Sequence, residues 1–287
     1  VDIGQGSNTI IAQIVADALR APVACIDLVS GDTSITPDCG KTSASRQTFV
    51  TGRAAHEAAA SLRKQILSRV RACDDAVIEF GNETLRIDDC ANTHALSLSD
   101  LPLDQNGYVL TAEHTFDPPT NPLNEDGQGI PYAVYGFGAQ MAEVEVDMDL
   151  GTVRVLRIIA AHDVGRAINP TLVEGQIGGG IAQGIGMALM EEFFPGKGEN
   201  LHDYLIPTIG DMPEIESILI EDPSPIGPFG AKGIGEHAMI PTAPAILNAI
   251  HHATGVRVHR IPATPDRLRE AILGRQAMLS GGATHDR

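Results

Sequence analysis

Hydrophobic positions along the chain follow two periods. Ile10, Ile11, Ile14, Val15, Ala18 and Leu19 recur at helical spacing and form one apolar face. Ser7 or Asn8 suits the cap in front of them, and Pro22 stops the run. The flanking "VDIGQG" and "VACIDLVSGDT" read as strands, so the chain is expected to open as strand, helix, strand. A long Ala-rich helix follows a polar turn, its entry between Thr42 and Thr48. "VIEFGNETLRI" predicts a hairpin turning at Gly81-Asn82. In "AQMAEVEVDMDLGTVRVLRIIAAHDVG", Glu143, Glu145 and Asp147 alternate with Val144, Val146 and Met148. That predicts a second hairpin with one wet face, turning at Leu150-Gly151. "NPTLVEGQIGGGIAQGIGMALMEEFF" predicts a helix with Asn169 as N-cap and Pro170 in its first position. "EIESILIED" predicts a strand, and "PTAPAILNAIHHATG" and "TPDRLREAIL" predict two more helices. The fold class is α+β, with mixed sheets and packed helices.

Between these elements, from about Leu96 to Tyr132, Pro, Asn, Asp and Gly dominate. The expected organisation is a first lobe over 1–110, a connecting segment over 111–135 and a second lobe over 136–287. A length of 287 residues with 43% apolar residues supplies ample core for two lobes. The net charge of −17 opposes binding to nucleic acid or acidic membranes, and 4% aromatics without Trp offer no base-stacking platform. Neither excludes a small phosphorylated cofactor, because backbone N–H groups hold phosphate without net positive charge. No run of eighteen apolar residues exists, so no membrane span is expected. Cys25, Cys39, Cys73 and Cys90 match no zinc or iron–sulfur spacing, which favours a reduced, cytoplasmic setting. Val1 stands in an apparent element, so a fragment, a processed chain or a piece of a split protein is expected.

Three stretches carry chemical content. The helix after Asn169 holds Gly175, Gly178, Gly179, Gly180, Gly184 and Gly186. Each interior Gly costs roughly 0.8–1 kcal/mol relative to Ala. Tight helix packing or the close approach of a bulky cofactor would each explain them. Gln176 and Gln183, seven apart, share one face. "TSASR", Thr42 to Arg46, offers three hydroxyls and a guanidinium at a helix entry, suited to an anion or simply to a Ser/Thr-rich helix start. In "GPFGAKGIGEHAMIP", Gly227 to Pro241, Glu236 follows Gly235 and is flanked by Ile234, Ala238, Met239 and Ile240. The stretch has no GK[ST] ending and does not lead from a clear strand into a helix, so neither a P-loop nor a dinucleotide fingerprint is present. Glu236 reads either as a partly desolvated carboxyl suited to proton exchange or as a turn glutamate capping the next helix. His162 and Asp163 read as a structural pair, and Ser7, Ser43 and Ser45 lack a nucleophile elbow.

Taken in order, "DIGQGSNTIIAQIVADAL", "TSASRQTFVTGRA", "DVGRAINP…EGQIGGGIAQGIGMAL" and "GAKGIGEHAMIPTAPAILNAI" make a family pattern. The chain resembles the second half of the molybdopterin-binding subunit of the xanthine dehydrogenase/aldehyde oxidase family of molybdenum hydroxylases. The resemblance implies a two-lobed molybdopterin-binding domain. It places the cofactor against Gln5 and Gly6, against Thr42, Ser43, Ala44, Ser45 and Arg46, and against Gln183 and Gly235. It makes Glu236 the general base. It implies molybdenum held by the pterin dithiolene rather than by side chains, and often a cytosine dinucleotide form of the pterin. The implied reaction inserts water-derived oxygen at an electron-poor carbon of an N-heteroaromatic, purine or aldehyde. Electrons would leave through partner chains carrying [2Fe–2S] clusters and FAD. A further chain or region would supply the first molybdenum-binding domain, as in split members such as the nicotinate dehydrogenases. "YGFGAQ", Tyr135 to Gln140, lies in a hairpin context and is not that domain's Gly-Phe-Gly loop. The alternative is a non-catalytic cofactor-binding or delivery module of the same fold, which has no need of Glu236.

Overall fold

The structure is a computed structural model that describes residues 1–89 and 92–282. Cys90 lies outside the described residues. The chain divides into two compact units that interleave along the sequence. The first comprises Val1–Tyr135, Gly165–Asn169 and Asp222–Gly233; the second comprises Gly136–Val164, Pro170–Glu221 and Ile234–Arg287.

In the first unit, helix α1 (Ser7–Leu19) packs on helix α2 (Gly52–Val70). Ile10, Ile14 and Leu19 are buried, as their spacing requires. The expected opening strand is absent. Gly4 and Gly6 adopt left-handed backbone, with φ of 109° and 83°. The Asp2 carboxylate fixes that turn by accepting hydrogen bonds from the amides of Gly4 (2.8 Å), Gly6 (3.3 Å) and Asn8 (3.0 Å). Gly6 is the N-cap and has no side chain to offer, so neither Ser7 nor Asn8 caps the helix. Asp2 supplies the missing acceptor from outside the helix.

The second expected strand is also absent. Val23–Cys25 forms one 3-10 turn, and the residues after it pair with no strand among the described residues. Leu28 and Val29 are exposed. A β-propensity run without a ladder partner stays a loop. The helical run is entered within the expected window, through a π turn over Gln47–Thr51 that continues directly into α2. Gly52 starts it because a Cβ there would lie 2.9 Å from Ile14 Cδ1 and 3.3 Å from Pro228. The hairpin is present as β1 (Val77–Phe80) and β2 (Thr84–Asp89), and a third strand, β3 (Asn92–Ser97), extends it. The polar "NTHALS" carries too little alternation to announce that strand. Ile66 and Leu67 of α2 close one core with Ala76, Ile78, Leu85 and Ile87. Residues 98–135 hold no further strand or helix beyond an isolated bridge between Asn121 and Ile130.

The second unit is built on a mixed sheet. β4 (Gly138–Val146) pairs antiparallel with β5 (Val153–Asp163), and β5 pairs parallel with β6 (Glu214–Ile220). A parallel neighbour demands a crossover, and helix α3 (Pro170–Leu189) lies on that connection. Helix α4 (Thr242–Thr254) packs on α3 and on β4, and helix α5 (Pro265–Gly282) completes the unit. Ile158, Ile177, Ile181, Ile185, Ile246, Ile250, Leu268 and Ile272 form the buried set. Their spacing is legible in the sequence, and so are all six elements.

The second lobe expected over 136–287 is not continuous in the chain, because Gly165–Asn169 and Asp222–Gly233 fold with the first unit. The cause is local. The Arg166 and Ser224 amides both donate to the Gly230 carbonyl, at 3.0 and 2.9 Å, and Gly165 bridges Ala231. Phe229 then meets the His56 ring of α2 edge-on at 4.6 Å. Among the described residues, no helix is long and apolar enough to cross a membrane.

Candidate functional site

The residues singled out from the sequence divide between the two units, and each group has its own geometry. In the first unit, the opening turn and "TSASR" meet at one atom. The Val1 carbonyl accepts from Gln5 Nε2 at 3.2 Å and from Thr42 Oγ1 at 3.0 Å. Gln47 Nε2 donates to the same Thr42 hydroxyl at 3.1 Å. Gln5 also donates to Ser7 Oγ at 3.0 Å and accepts from the Ile3 amide at 2.6 Å, so its amide is held in a fixed attitude.

The loop after Thr42 carries unusual backbone. Ala44 and Ser45 both have positive φ, 54° and 51°, which a side chain makes costly. Ser43 and Ala44 are exposed, while Thr42, Ser45 and Arg46 are half-buried. The Arg46 guanidinium does not simply project outward as a free anion hook. Its Nη1 donates to the carbonyls of Cys39 (2.7 Å) and Lys41 (3.2 Å), so it shapes its own loop. Gly233 packs directly on this turn: a Cβ there would overlap the Ser45 carbonyl oxygen. Within the first unit, Gly233 and "TSASR", far apart in sequence, are therefore in contact. Lys232, buried next to Gly233, pairs with Asp222 at 3.4 Å.

In the second unit, Gly235 and Glu236 are both exposed. The sequence suggested that the neighbouring apolar residues would desolvate Glu236. Only Ala238 is buried, and Ile240 is itself exposed, so they do not enclose the carboxylate. Nor does Glu236 cap α4: the N-cap is Pro241, with no side-chain cap bond. The Glu236 carbonyl accepts from the Met239 amide at 3.1 Å, and the Met239 carbonyl from the Thr242 amide at 3.0 Å. Two linked turns thus carry the acid into the helix.

What surrounds those turns was not legible from the sequence. Gln140 of β4 donates from Nε2 to the Ala238 carbonyl at 2.8 Å and accepts at Oε1 from the Thr242 hydroxyl at 2.8 Å. The same Nε2 lies 3.1 Å from His162 Nε2. His162 is fully buried and its Nδ1 has no hydrogen-bond partner. Burial, with a smaller contribution from His237, pushes its pKa down to about 4. The His162 ring is thus not paired with Asp163 as the sequence suggested. It is His237 that reaches that residue, with Nε2 at 3.2 Å from the Asp163 carbonyl. The two imidazoles lie 5.3 Å apart. Glycines of "YGFGAQ" make room for them: a Cβ on Gly136 would lie 2.9 Å from His237 Cε1, and one on Gly138 2.6 Å from His162 Nδ1.

The six glycines of α3 split by role. A Cβ on Gly180 would lie 3.0 Å from Ala238 Cβ, and one on Gly184 would overlap Thr242. One on Gly186 would overlap the Glu191 carboxylate. Gly175, Gly178 and Gly179 have nothing within 4 Å of the corresponding position. Gln183 is exposed, as are Gly175 and Gly179, the residue one helical turn before it. Among the described residues, no three His, Cys, Asp or Glu side chains converge as a metal-binding set.

Comparison with known proteins agrees with this arrangement. Residues 1–213 match the family model described as the molybdopterin cofactor-binding domain. The xanthine dehydrogenase molybdenum-binding subunit of Escherichia coli O157:H7 is 34% identical over 286 residues, which covers 94% of this chain and 36% of that protein. The aldehyde oxidoreductase of Megalodesulfovibrio gigas is 34% identical over 280 residues, 94% of this chain and 28% of that one. The crystal structure of the aldehyde oxidoreductase from Desulfovibrio desulfuricans ATCC 27774 superposes with a TM-score of 0.77 at 31% identity, over 93% of this chain and 28% of its own. This chain therefore spans about a third of the length of these relatives. It belongs to the molybdopterin cofactor-binding domain family.

Proposed function

We propose that this chain is the cofactor-binding and catalytic part of a molybdenum hydroxylase, with Glu236 as its general base. The observation that carries the reading is the contact between Gly233 and Ser45. It seats Gly233 on the hydroxyl turn, and Gly235 and Glu236, both exposed, follow it in the chain. The residues suit a phosphorylated pterin. Ser43 and Ala44 are exposed on a turn with two consecutive left-handed residues, a backbone form that presents amide groups and hydroxyls to anions. A Cβ built on Gly4 would meet nothing within 4 Å, so the space beside it is open. Gln5, Gly6 and Thr42 to Arg46 would hold the pterin, and Gln183 and Gly235 would make further contacts.

When bound, the molybdenum pterin supplies the two-electron acceptor and the activated, water-derived oxygen. Glu236 would serve as the general base, taking up a proton during oxygen transfer to an electron-poor carbon. The Gln5 amide, fixed by three partners, offers a preset polar contact. The substrate class is an N-heteroaromatic, a purine or an aldehyde, and the pterin is the cytosine dinucleotide form. [2Fe–2S] and FAD groups on partner chains carry the electrons away, a further region or chain supplies the first molybdenum-binding domain, and the complex works in the cytoplasm.

Glu236→Gln tests the assignment. The assembled complex should keep molybdenum and pterin near the native level, measured by elemental analysis and pterin fluorescence. Its kcat should fall by at least about 10²-fold, within the range of lost general-base catalysis. Turnover at the native rate would instead favour a non-catalytic cofactor module.

A further inference from the structure

The geometry points to Gln140 as the positioning residue for Glu236: one buried-edge amide clamps the segment that follows the acid. The inference rests on the reading of Glu236 as the base. Gln140 sits on β4, nearly a hundred residues before the loop it holds. Its two ends bind different points of that loop. Nε2 donates to the Ala238 carbonyl and Oε1 accepts from the Thr242 hydroxyl. The segment from Ala238 to Thr242 is thereby held from the sheet side.

From the helix side, α3 holds the same two residues. Gly180 brings its backbone against Ala238, and Gly184 against Thr242. Any side chain at either glycine would displace the segment from the position at which Gln140 binds it. Ala238 and Thr242 are fully buried as a result. The clamp and the packing thus fix the same two points, and Glu236 projects from the turn just before them.

The orientation of the clamp is settled by its neighbours. Only the NH2 end of the amide can face the Ala238 carbonyl, because two oxygens would repel. That NH2 end also faces His162 Nε2, so this nitrogen must accept and the ring proton resides on Nδ1. A reversed amide would lose the bond to the Ala238 carbonyl, a pure acceptor, and would force the Thr242 hydroxyl and the imidazole to exchange roles. His162 is therefore part of the device: its neutral ring keys the amide, and Gly138 makes the space for it. Next to Glu236, His237 adds a tether to the Asp163 carbonyl. All these groups belong to one compact unit.

The test uses the assembled enzyme with Gln140→Ala and, as a gentler change, Thr242→Val, which keeps shape and removes only the hydroxyl. Amide hydrogen exchange at Met239 and Thr242 reads the clamp directly, because both amides bond within it. About tenfold faster exchange is expected for Gln140→Ala, with a smaller rise for Thr242→Val. kcat should fall by about 10- to 100-fold with KM within about twofold, as expected when a reacting group is misplaced rather than removed. Native exchange in both variants overturns the clamp. So does faster exchange with native kcat, provided Glu236→Gln is inactive. If Glu236→Gln is active, the base assignment fails, and the exchange rates still judge the clamp on their own.

Discussion

At the scale of single residues, the informative side chains are those whose surroundings a sequence cannot display. Glu236 was visible as a candidate because an acid among glycines is odd. Its exposure was not visible, since that depends on which of its neighbours turn inward, and only Ala238 does. Gln140 and His162 were invisible as a pair, since their contact depends on the register of β4 against β5. His162 makes a sharp prediction. Its folded pKa, about 4, lies below the ordinary histidine value, so the folded state favours the neutral ring. The unfolded chain then binds more protons at mildly acid pH. Stability from this site is complete above about pH 6.5 and is lost as pH falls towards 4, by on the order of 3 kcal/mol in all. Urea melts at stepped pH values should show the decline, and His162→Gln should flatten it. NMR should find the His162 ring neutral, with its proton on Nδ1, at pH 6.

At the scale of elements, the periodic pattern served best where an element buries a full face. α1, α3, α4 and both hairpins follow their apolar spacing because each has a partner surface within its own unit. The two opening strands failed for the converse reason: their segments have strand-like residues and no neighbouring strand. The glycines of α3 invited two explanations, tight packing and cofactor approach, and the helix is divided between a packed side and an open side. Gly184→Ala should destabilise the chain by about 2–3 kcal/mol, because the new methyl overlaps Thr242 in a packed interior. Gly179→Ala meets nothing within 4 Å and should stabilise α3 by about 1 kcal/mol. Thermal melts of the two variants give opposite signs if this division is right. Pterin content of the Gly179→Ala complex then reports whether the open side is used by the cofactor.

At the scale of the whole molecule, the chain is two units whose sequences are interleaved, and that is what motif order alone could not reveal. The Pro- and Gly-rich stretch before Tyr135 was visible in the sequence, and the chain passes from the first unit to the second at Gly136. The return of Gly165–Asn169 and Asp222–Gly233 to the first unit was not, since it rests on backbone bonds between the two short segments themselves. A fragment starting at Gly136 would carry the Pro228–Gly230 turn, whose Pro228 and Gly230 are buried in the whole chain, without its contacts to α2. It should melt several degrees below the intact chain, or without cooperativity, in a calorimetric scan.

The contact of Gly233 with Ser45 has a consequence for how this protein can change over time. The Ser45 carbonyl occupies the place where a side chain at 233 would begin. A lineage that replaced the glycine would have to rebuild the turn at Ala44 and Ser45 in the same step, with its two costly backbone angles. Across nearly two hundred residues of sequence, the backbone at 45 dictates what can stand at 233. Three residues beyond Gly233, Glu236 is exposed, so exchanging its side chain meets no such overlap with a buried backbone.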